Sequence, residues 1–238
     1  MKNEFVIKSN DIIRNFSYDY TEAEYKAIAY ICSVFKQHEK DVDQIETYRF
    51  SIIIQDFLKA CGINNHSGSL YKWVRDIFDT LESQSEWLSV YDKDGRELTT
   101  KVRWISKCYF DESDRVEFYA DRDLYWYICG LENRFTKYEL KMYLSMSGKH
   151  ALRLYEILKS YESVNGFSED IDTLKRLLSV QGKVKYEKPG KFIKEIIDPA
   201  VKEINEKTDL KITYERVMFK NKITGIAFKI KKEKRAVA

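Results

Sequence analysis

The sequence predicts the α+β fold class, with tandem winged helix-turn-helix domains that are two diverged copies of one unit. Two observations predict it: an internal repeat and the same order of elements in each copy. The length of 238 residues suits one large domain or two of about 120 residues. With 44% hydrophobic and 14% aromatic residues, the chain can form cores, which argues against a disordered protein.

The internal repeat appears when the chain is aligned with itself. At an offset of 117 residues, Phe50-Ser51 falls on Phe167-Ser168, and the apolar positions that follow also coincide. At an offset of 119 residues the next segment matches, with apolar pairs Trp73/Phe192, Val74/Ile193, Ile77/Ile196, Phe78/Ile197 and Leu81/Ala200. The two offsets differ by two residues, which corresponds to a small difference in loop length. The sequence therefore predicts two copies of one unit.

The sequence pattern of each copy predicts the same order of elements: helix, strand, helix, turn, helix and hairpin. In the first copy a capping box at 21–24 opens a helix to about Gln37. The elements predicted after it are a strand at 48–53, helices at 55–61 and 69–83 around a polar turn at 64–68, and a hairpin of 86–91 with 99–110 around a turn at 92–95. The second copy predicts helices at 149–162, 170–180 and 191–207, an extended piece at 166–168, a basic loop at 182–190, and a hairpin of 210–219 with 223–231.

These elements predict three parts of the chain. Residues 1–130 form an N-terminal winged-helix domain for dimerisation and secondary DNA binding, and residues 148–238 form a C-terminal winged-helix domain for the main DNA binding. Residues 131–147 are predicted as a packed connector because they lack the composition of a flexible linker. An extra strand at 115–119 and an aromatic helix at 121–129 are expected just before it.

The charge distribution assigns the DNA-binding roles. Residues 1–130 carry 17 Lys+Arg and 23 Asp+Glu, whereas residues 131–238 carry 24 and 15, so the net +3 combines −6 with +9. A basic half indicates a polyanionic partner, most simply double-stranded DNA, because lysines placed on phosphates release condensed counterions. Charge alone also fits a basic surface that is merely solvated.

The last long helix is the predicted recognition helix, with apolar residues on one arc and lysines on the other. N-terminal residues of such a helix reach base edges in the major groove, so Lys191 and Lys194 are candidates for base contacts. Pro199 removes one hydrogen bond and should bend this helix. The residues predicted to neutralise phosphates are Lys188, Lys202, Lys211, Lys220 and Lys222. Their equivalents in the first copy are Ser69, Lys72 and Arg75 on the second helix, and Lys101 and Arg103 on the hairpin.

Other partners are not predicted. No apolar run reaches the about 18 residues that cross a bilayer, and the N-terminal segment has scattered charges, so we expect a cytoplasmic protein with no membrane partner. No cofactor is expected, because the sequence lacks the glycine-rich phosphate loop. No metal site is expected either, because the histidines are isolated and the cysteines are far apart, at Cys32, Cys61, Cys108 and Cys129.

The sequence does not predict an enzyme, although one motif has the spacing of a catalytic motif. His150 and Arg153 have the His-x-x-Arg spacing of tyrosine recombinases, and the chain offers 17 tyrosines as nucleophiles. The earlier catalytic arginine motif of that family is missing, and so is the His-hydrophobe-His pair of rolling-circle nucleases. A DNA strand-transfer enzyme is therefore the third hypothesis, and no catalytic residue is assigned.

The segments ALRLYEILK at 151–159 and IDPAVKEINEKTDL at 197–210 resemble the Rep_3 family of theta-type plasmid replication initiators. The similarity spans nearly the whole chain, including TEAEYK at 21–26 and the hairpin at 212–230. It implies binding to origin direct repeats (iterons) as a monomer, to an operator inverted repeat as a self-associated dimer that represses its own gene, and to the host replication initiator and helicase.

Within this resemblance, Lys194 matches a basic residue of the family's C-terminal recognition helix, whereas Ile193 and Glu195 stand where many relatives are basic. The alternative hypothesis is a winged-helix transcriptional repressor without a role in replication.

Overall fold

The computed structural model describes residues 4–37, 48–63, 68–91, 94, 96–111, 114–129 and 134–233. The chain divides into two compact units. Unit one comprises Met1–Ile12 and Lys26–Leu144, and unit two comprises Ile13–Tyr25 and Ser145–Ala238. Across the described ranges, no helix has both the length and the apolar character needed to span a membrane.

The first 144 residues hold six helices and seven strands within the described ranges. In chain order they are β1 (Phe5–Ser9), α1 (Asn10–Asn15), α2 (Glu22–Gln37), β2 (Arg49–Ile53), α3 (Ile54–Ala60), α4 (Gly68–Ser83), β3 (Glu86–Tyr91), β4 (Glu97–Val102), β5 (Ile105–Phe110), β6 (Arg115–Ala120), α5 (Arg122–Cys129), β7 (Phe135–Glu139) and α6 (Leu140–Leu144). The divisions between the units fall inside α1 and α2.

The remaining residues form the larger part of unit two. Its elements are α7 (Lys149–Lys159), a 3₁₀ turn (Glu162–Val164), β8 (Gly166–Asp170), α8 (Ile171–Leu177), a second 3₁₀ turn (Val184–Tyr186), α9 (Pro189–Phe192), a π-helical turn (Ile193–Ile197), α10 (Asp198–Lys207), β9 (Leu210–Phe219) and β10 (Lys222–Lys232). The predicted order of elements in the second copy is confirmed.

Unit two has an antiparallel sheet in the order β8-β10-β9. Phe167 on β8 and Phe228 on β10 are register partners, and their rings stack with centroids 6.2 Å apart. The predicted apolar arc of the last helix is buried, namely Phe192, Ile193, Ile196, Ile197, Ala200, Val201 and Ile204. Burial of this face keeps the opposite, lysine-bearing face of the helix in solvent.

Unit one repeats this arrangement with different strands from those predicted. Its three-stranded sheet has the order β2-β6-β5, and Phe50 on β2 faces Phe118 on β6 with ring centroids 6.0 Å apart. The hairpin equivalent to β9–β10 is therefore β5–β6, whereas β3 and β4 form a separate two-stranded sheet. The predicted hairpin is confirmed for 86–91 with the first part of 99–110, but the prediction that this strand continues to residue 110 is wrong. The description of 115–119 as an extra strand is also wrong, because this strand pairs with β5.

The physical reason for the different pairing is a break between β4 and β5. Trp104 is 3% exposed, so the chain turns inward there. The Arg103 N–H lies 3.4 Å from a carboxylate oxygen of Asp121 instead of continuing a strand ladder. The predicted turns at 64–68 and 92–95 lie largely outside the described residues.

The observed units differ from the predicted domain boundaries in two places. Ile13–Tyr25 belongs to unit two. Arg153 holds this segment, because its guanidinium donates to the carbonyl oxygen of Ile13 at 2.7 Å and to that of Phe16. Strand β7, inside the predicted connector, pairs with β1 and belongs to unit one.

Candidate nucleic-acid interface

The recognition helix predicted in unit two runs through α9, the π turn and α10. Lys188 precedes α9 as its N-cap residue, and Pro189 occupies the first turn, where a missing N–H does no harm. We use "lysine face" for the exposed side of this helix, which carries Lys188, Lys191, Lys194 and Lys202. The structure thus brings four of the predicted residues onto one helical surface.

The π turn separates the two halves of this helix. The Asp198 N–H bonds the carbonyl of Ile193, five residues earlier, in place of the usual four. Pro199 follows at once and has no N–H to offer the carbonyl of Glu195, which explains why regular α-helical bonding fails here. The disturbance predicted from Pro199 is therefore visible as a widened turn, with Lys191 on one side and Lys202 on the other.

Glu195 introduces a negative charge into the lysine face. Its carboxylate lies 2.6 Å from Lys185 Nζ and 4.0 Å from Lys191 Nζ. The neighbouring Lys185 ammonium lowers the pKa of Glu195, so the carboxylate stays ionised at neutral pH. Part of the positive charge at the start of the helix is therefore neutralised within the protein.

Lys202 has a looser partner on the same helix. Its ammonium lies 3.9 Å from Glu206, and both side chains are exposed, so this pair contributes little to stability.

The wing of unit two is the β9–β10 hairpin. A two-residue turn closes it, with positive φ at Lys220 (45°) and Asn221 (62°), as in the tight turns that suit twisted strands. Lys220 and the adjoining Lys222 are exposed at this turn. The hairpin is tied to the recognition helix because the Tyr214 hydroxyl donates to the Asp198 carboxylate.

Lys211 does not join this surface. It lies at the start of β9, whereas Lys220 closes the other end of the strand, about 30 Å away at strand spacing. The neighbouring Ile212 is hydrogen-bonded through its backbone to the side chain of Asn205, near the end of α10. Lys211 is therefore close to the C-terminal end of the recognition helix, opposite Lys191.

The predicted residues of unit one occupy three separate environments. Ser69, Lys72 and Arg75 are exposed on α4, and the Arg75 guanidinium lies 5.0 Å from the ring centre of Phe110. Lys101 is exposed on β4, where its ammonium lies 5.2 Å from the ring centre of Trp87. Lys101 therefore belongs to the separate β3–β4 hairpin and is not equivalent to a wing lysine of unit two.

Arg103 lies beside acidic groups. It lines a cavity of about 360 Å³ together with Asp79, Glu82 and Ser83. The two acidic residues that line the same cavity reduce the positive potential that a phosphate would meet there. This environment makes Arg103 a weaker candidate than the lysines of unit two.

Several candidate residues of unit two were not selected from the sequence. Lys185 pairs with Glu195, Arg216 is exposed on β9, and Met218 and Phe219 are exposed near the wing turn. The signal for Arg216 was its place in a basic hairpin, two residues before the apolar pair Met218 and Phe219. Two large apolar side chains beside a polar turn were the signal for Met218 and Phe219.

The His-x-x-Arg motif has a structural role. Arg153 is 3% exposed, and its Nε also donates to the carbonyl of Leu177 at 3.2 Å. Burial lowers the pKa of His150 to about 4, so this imidazole is neutral at physiological pH. Tyr155 is buried and donates its hydroxyl to Asp209 at 3.0 Å. Arg153 and Tyr155 therefore lie in the interior of unit two, and His150 is half-buried.

No metal-ligand cluster was found in the described ranges, where no group of three or more His, Cys, Asp or Glu side chains is close enough to hold an ion. The described cysteine side chains, Cys32, Cys61 and Cys108, do not form disulfides.

Comparison with known families gives two matches. The family model described as "Initiator Replication protein, WH1" matches residues 5–159, and the one described as "Initiator Rep protein, WH2" matches residues 170–230. Together they cover both units. No curated protein matches the chain in sequence.

Solved structures show the same fold. A crystal structure of the Pi initiator protein in complex with iteron DNA has a TM-score of 0.69 and 16% identity, with 99% of this chain and 100% of that chain covered. A structure of domains 2 and 3 of RctB has a TM-score of 0.52 and 13% identity, with 89% and 83% covered. The prediction of two winged-helix domains is confirmed.

Proposed function

The chain belongs to the initiator replication protein family, whose WH1 and WH2 models it matches, and on that premise we propose that it starts theta-type plasmid replication by binding direct repeats, the iterons, at the origin. The observation that carries this proposal is the lysine face of the recognition helix, held outward by a buried apolar face. The fold shared with the Pi initiator, which was crystallised with iteron DNA, supports it.

Unit two supplies the main grip on DNA in this proposal. Lys191 and Lys194 lie in the N-terminal half of the helix and reach base edges in the major groove. The residues proposed to contact phosphates are Lys188, Lys202, Lys220 and Lys222. Lys211 is proposed to contact a separate phosphate, because it lies at the other end of β9 from Lys220. Phosphate contacts fix the position of the protein on the duplex, and base contacts select the repeat.

Unit one has the secondary role. Its contacts to DNA come from α4, through Ser69, Lys72 and Arg75, with Lys101 and Arg103 outside that helix. The acidic net charge of residues 1–130 disfavours a strong contact with DNA phosphates, and we propose that this part of the chain serves self-association. A dimer would bind an inverted repeat at the operator and repress the gene, while the monomer serves the origin.

The protein acts in the cytoplasm without a cofactor, and it opens the origin by recruiting the host replication initiator and helicase. It is not an enzyme, because the motif that resembled a strand-transfer site, His150 with Arg153, is used in the interior of unit two. Accordingly, denaturing gels should show no covalent adduct between a tyrosine and DNA.

A gel-shift experiment tests the proposal. The DNA flanking the gene for this chain is divided into overlapping fragments, and each is titrated with the purified protein at fixed salt, because affinity without the salt concentration cannot be interpreted. We expect selective binding to a direct repeat of about 20 base pairs, which is two helical turns for two winged domains. The control is the same fragment with the repeat scrambled. Equal affinity for all fragments would contradict the proposal.

A further inference from the structure

The wing tip of unit two, residues 217–222, exposes three apolar side chains in a row. Val217 is 40% exposed, Met218 54% and Phe219 64%. Burial of a phenylalanine ring is normally favourable by about 1.5–3 kcal/mol, so an isolated protein gains nothing from holding this ring in water. Exposed large apolar side chains grouped on one element indicate a contact with another molecule.

The wing tip projects away from the body of the unit. From Glu215 to Phe219 every residue of β9 is exposed, whereas Leu210 and Ile212 at its start are buried. Tyr214, just before this exposed part, is hydrogen-bonded to Asp198 of the recognition helix. Phe219 is five residues beyond Tyr214, a distance of about 17 Å along a strand.

This distance matches the geometry of a DNA duplex. One helical turn of B-DNA is about 34 Å, so about 17 Å separates a major groove from the next minor groove along the axis. A helix in the major groove would therefore bring the wing tip to the neighbouring minor groove. The groove is about 6 Å wide, which admits a side chain but not the whole hairpin.

Charge at the wing tip also fits a duplex. Arg216, Lys220 and Lys222 are exposed around the apolar residues, and the ammonium of Lys220 lies 5.4 Å from the centre of the Phe219 ring. Glu215, the acidic residue nearby on β9, is paired with Lys229 at 2.5 Å. Basic groups on both sides of an apolar ring suit the phosphates that line a minor groove.

We propose that Phe219 is a wedge that enters the minor groove beside the bound repeat, partly unstacks one base step and bends the duplex. The inference rests on the proposed DNA-binding function. Apolar side chains inserted between base steps kink DNA by about 20–90° toward the major groove. The tight turn at Lys220 and Asn221 supports the role, because a rigid tip loses little freedom on insertion.

The test compares wild-type protein with Phe219→Ala on the repeat fragment found by gel shift. DNA bending is measured from energy transfer between dyes at the two ends, and unstacking from permanganate reactivity of thymines. The matched control is Val164→Ala, which removes an exposed apolar side chain (65% exposed) of the same unit outside the wing. We expect Phe219→Ala to lose most of the bend and the reactive step, and to bind about tenfold more weakly. The control should behave as wild type.

Each outcome has a defined meaning. Equal bending and reactivity with wild type and Phe219→Ala would overturn the wedge and leave the proposed function intact. Loss of self-association in sedimentation experiments, with bending unchanged, would show that the tip binds a second copy of the chain, and it would also overturn the wedge. A wild-type protein with no preference for any repeat would overturn both the wedge and the proposed function.

Discussion

Glu195 and Lys185 form an ion pair in unit two, with 2.6 Å between the carboxylate oxygen and Nζ. The pair connects the basic loop before the recognition helix with the π turn inside it. Lys191 lies on the other side of the same carboxylate, at 4.0 Å. One anion thus lowers the positive potential of the surface that is proposed to meet DNA. We therefore expect this surface to bind phosphates less strongly than its lysine count suggests.

Replacement of Glu195 by glutamine should strengthen DNA binding. The substitution frees Lys185 and Lys191 from an internal anion, so non-specific affinity should rise about threefold to tenfold at low salt. The slope of log affinity against log salt should steepen by about one. Fluorescence anisotropy over a salt series measures both. Glu206→Gln makes the same charge change near the end of α10 and should have less than half the effect. Weaker binding by Glu195→Gln would mean that Glu195 itself contacts a base.

Charge reversal separates the roles of the two units. Lys194→Glu, on the lysine face, should lower specific affinity at least tenfold, because it removes a proposed base contact and places an anion in the major groove. Lys72→Glu makes the same change on α4 of unit one and should cost much less. Titrations on the repeat and on its scrambled control measure both variants. Equal losses would mean that unit one contributes as much as unit two.

The Asp170 side chain caps α8, and its loss should destabilise unit two. Its carboxylate accepts from the N–H groups of Asp172 and Thr173, each at 2.9 Å. Asp170→Ala should lower the free energy of unfolding by about 1 kcal/mol, whereas Asp170→Asn keeps an oxygen acceptor and should lose less. Urea unfolding followed by circular dichroism measures the difference. An alanine variant as stable as wild type would contradict the role of the cap.

The same cap predicts a pH dependence. Hydrogen bonds from Thr173, foremost its N–H, lower the pKa of Asp170 below its ordinary value of 3.8. A carboxyl group with a lower pKa in the folded state stabilises the fold above the unfolded pKa, and this contribution is lost as pH falls through the folded pKa. Wild type should therefore lose more stability than Asp170→Asn between about pH 5 and pH 2. Identical pH profiles would show that the charge of Asp170 contributes nothing.

Gly225 should not tolerate a side chain. It lies at an irregularity of β10, and an added Cβ would lie 2.6 Å from the carbonyl oxygen of Glu169. Gly225→Ala should therefore destabilise by about 1–3 kcal/mol, because a strand must move. Gly190→Ala is the matched control, since an added Cβ there meets nothing within 4 Å. It should be neutral or slightly stabilising in thermal unfolding. A harmless Gly225→Ala would show that β8 and β10 separate easily.

Much of unit two could be predicted because its signals are local. The apolar arc around Ile196 and the break at Pro199 follow from helical periodicity and proline chemistry, and the hairpin follows from alternation around a short turn. The pairing of strands in unit one is not local. Alternation predicts strands at 86–91 and 99–110, but not that the second divides into β4 and β5. It also does not show that β5 pairs with β6, or that β1 pairs with β7 about 130 residues away.

Sequence periodicity predicted which lysines of the candidate site share a helix face, but not their contacts with other elements. Helical spacing predicts that Lys191 and Lys194 lie on the face opposite the apolar residues. The burial of Phe192 and Ile193 agrees with this prediction. Helical spacing could not show that Glu195 approaches Lys185 across a loop, or that Lys211 lies at the opposite end of a long strand from Lys220. Such relations depend on tertiary packing, which sequence periodicity does not contain.

Replication in a living cell tests the central claim most directly. A circular DNA that cannot replicate by itself receives the gene for this chain with its adjacent repeats, and its maintenance is scored after selection. We expect maintenance with wild-type protein, loss with Lys194→Glu, and loss when the repeats are scrambled. Failure of the wild-type circle to persist, despite tight binding of the protein to the repeats, would contradict an initiator and favour a repressor without a role in replication.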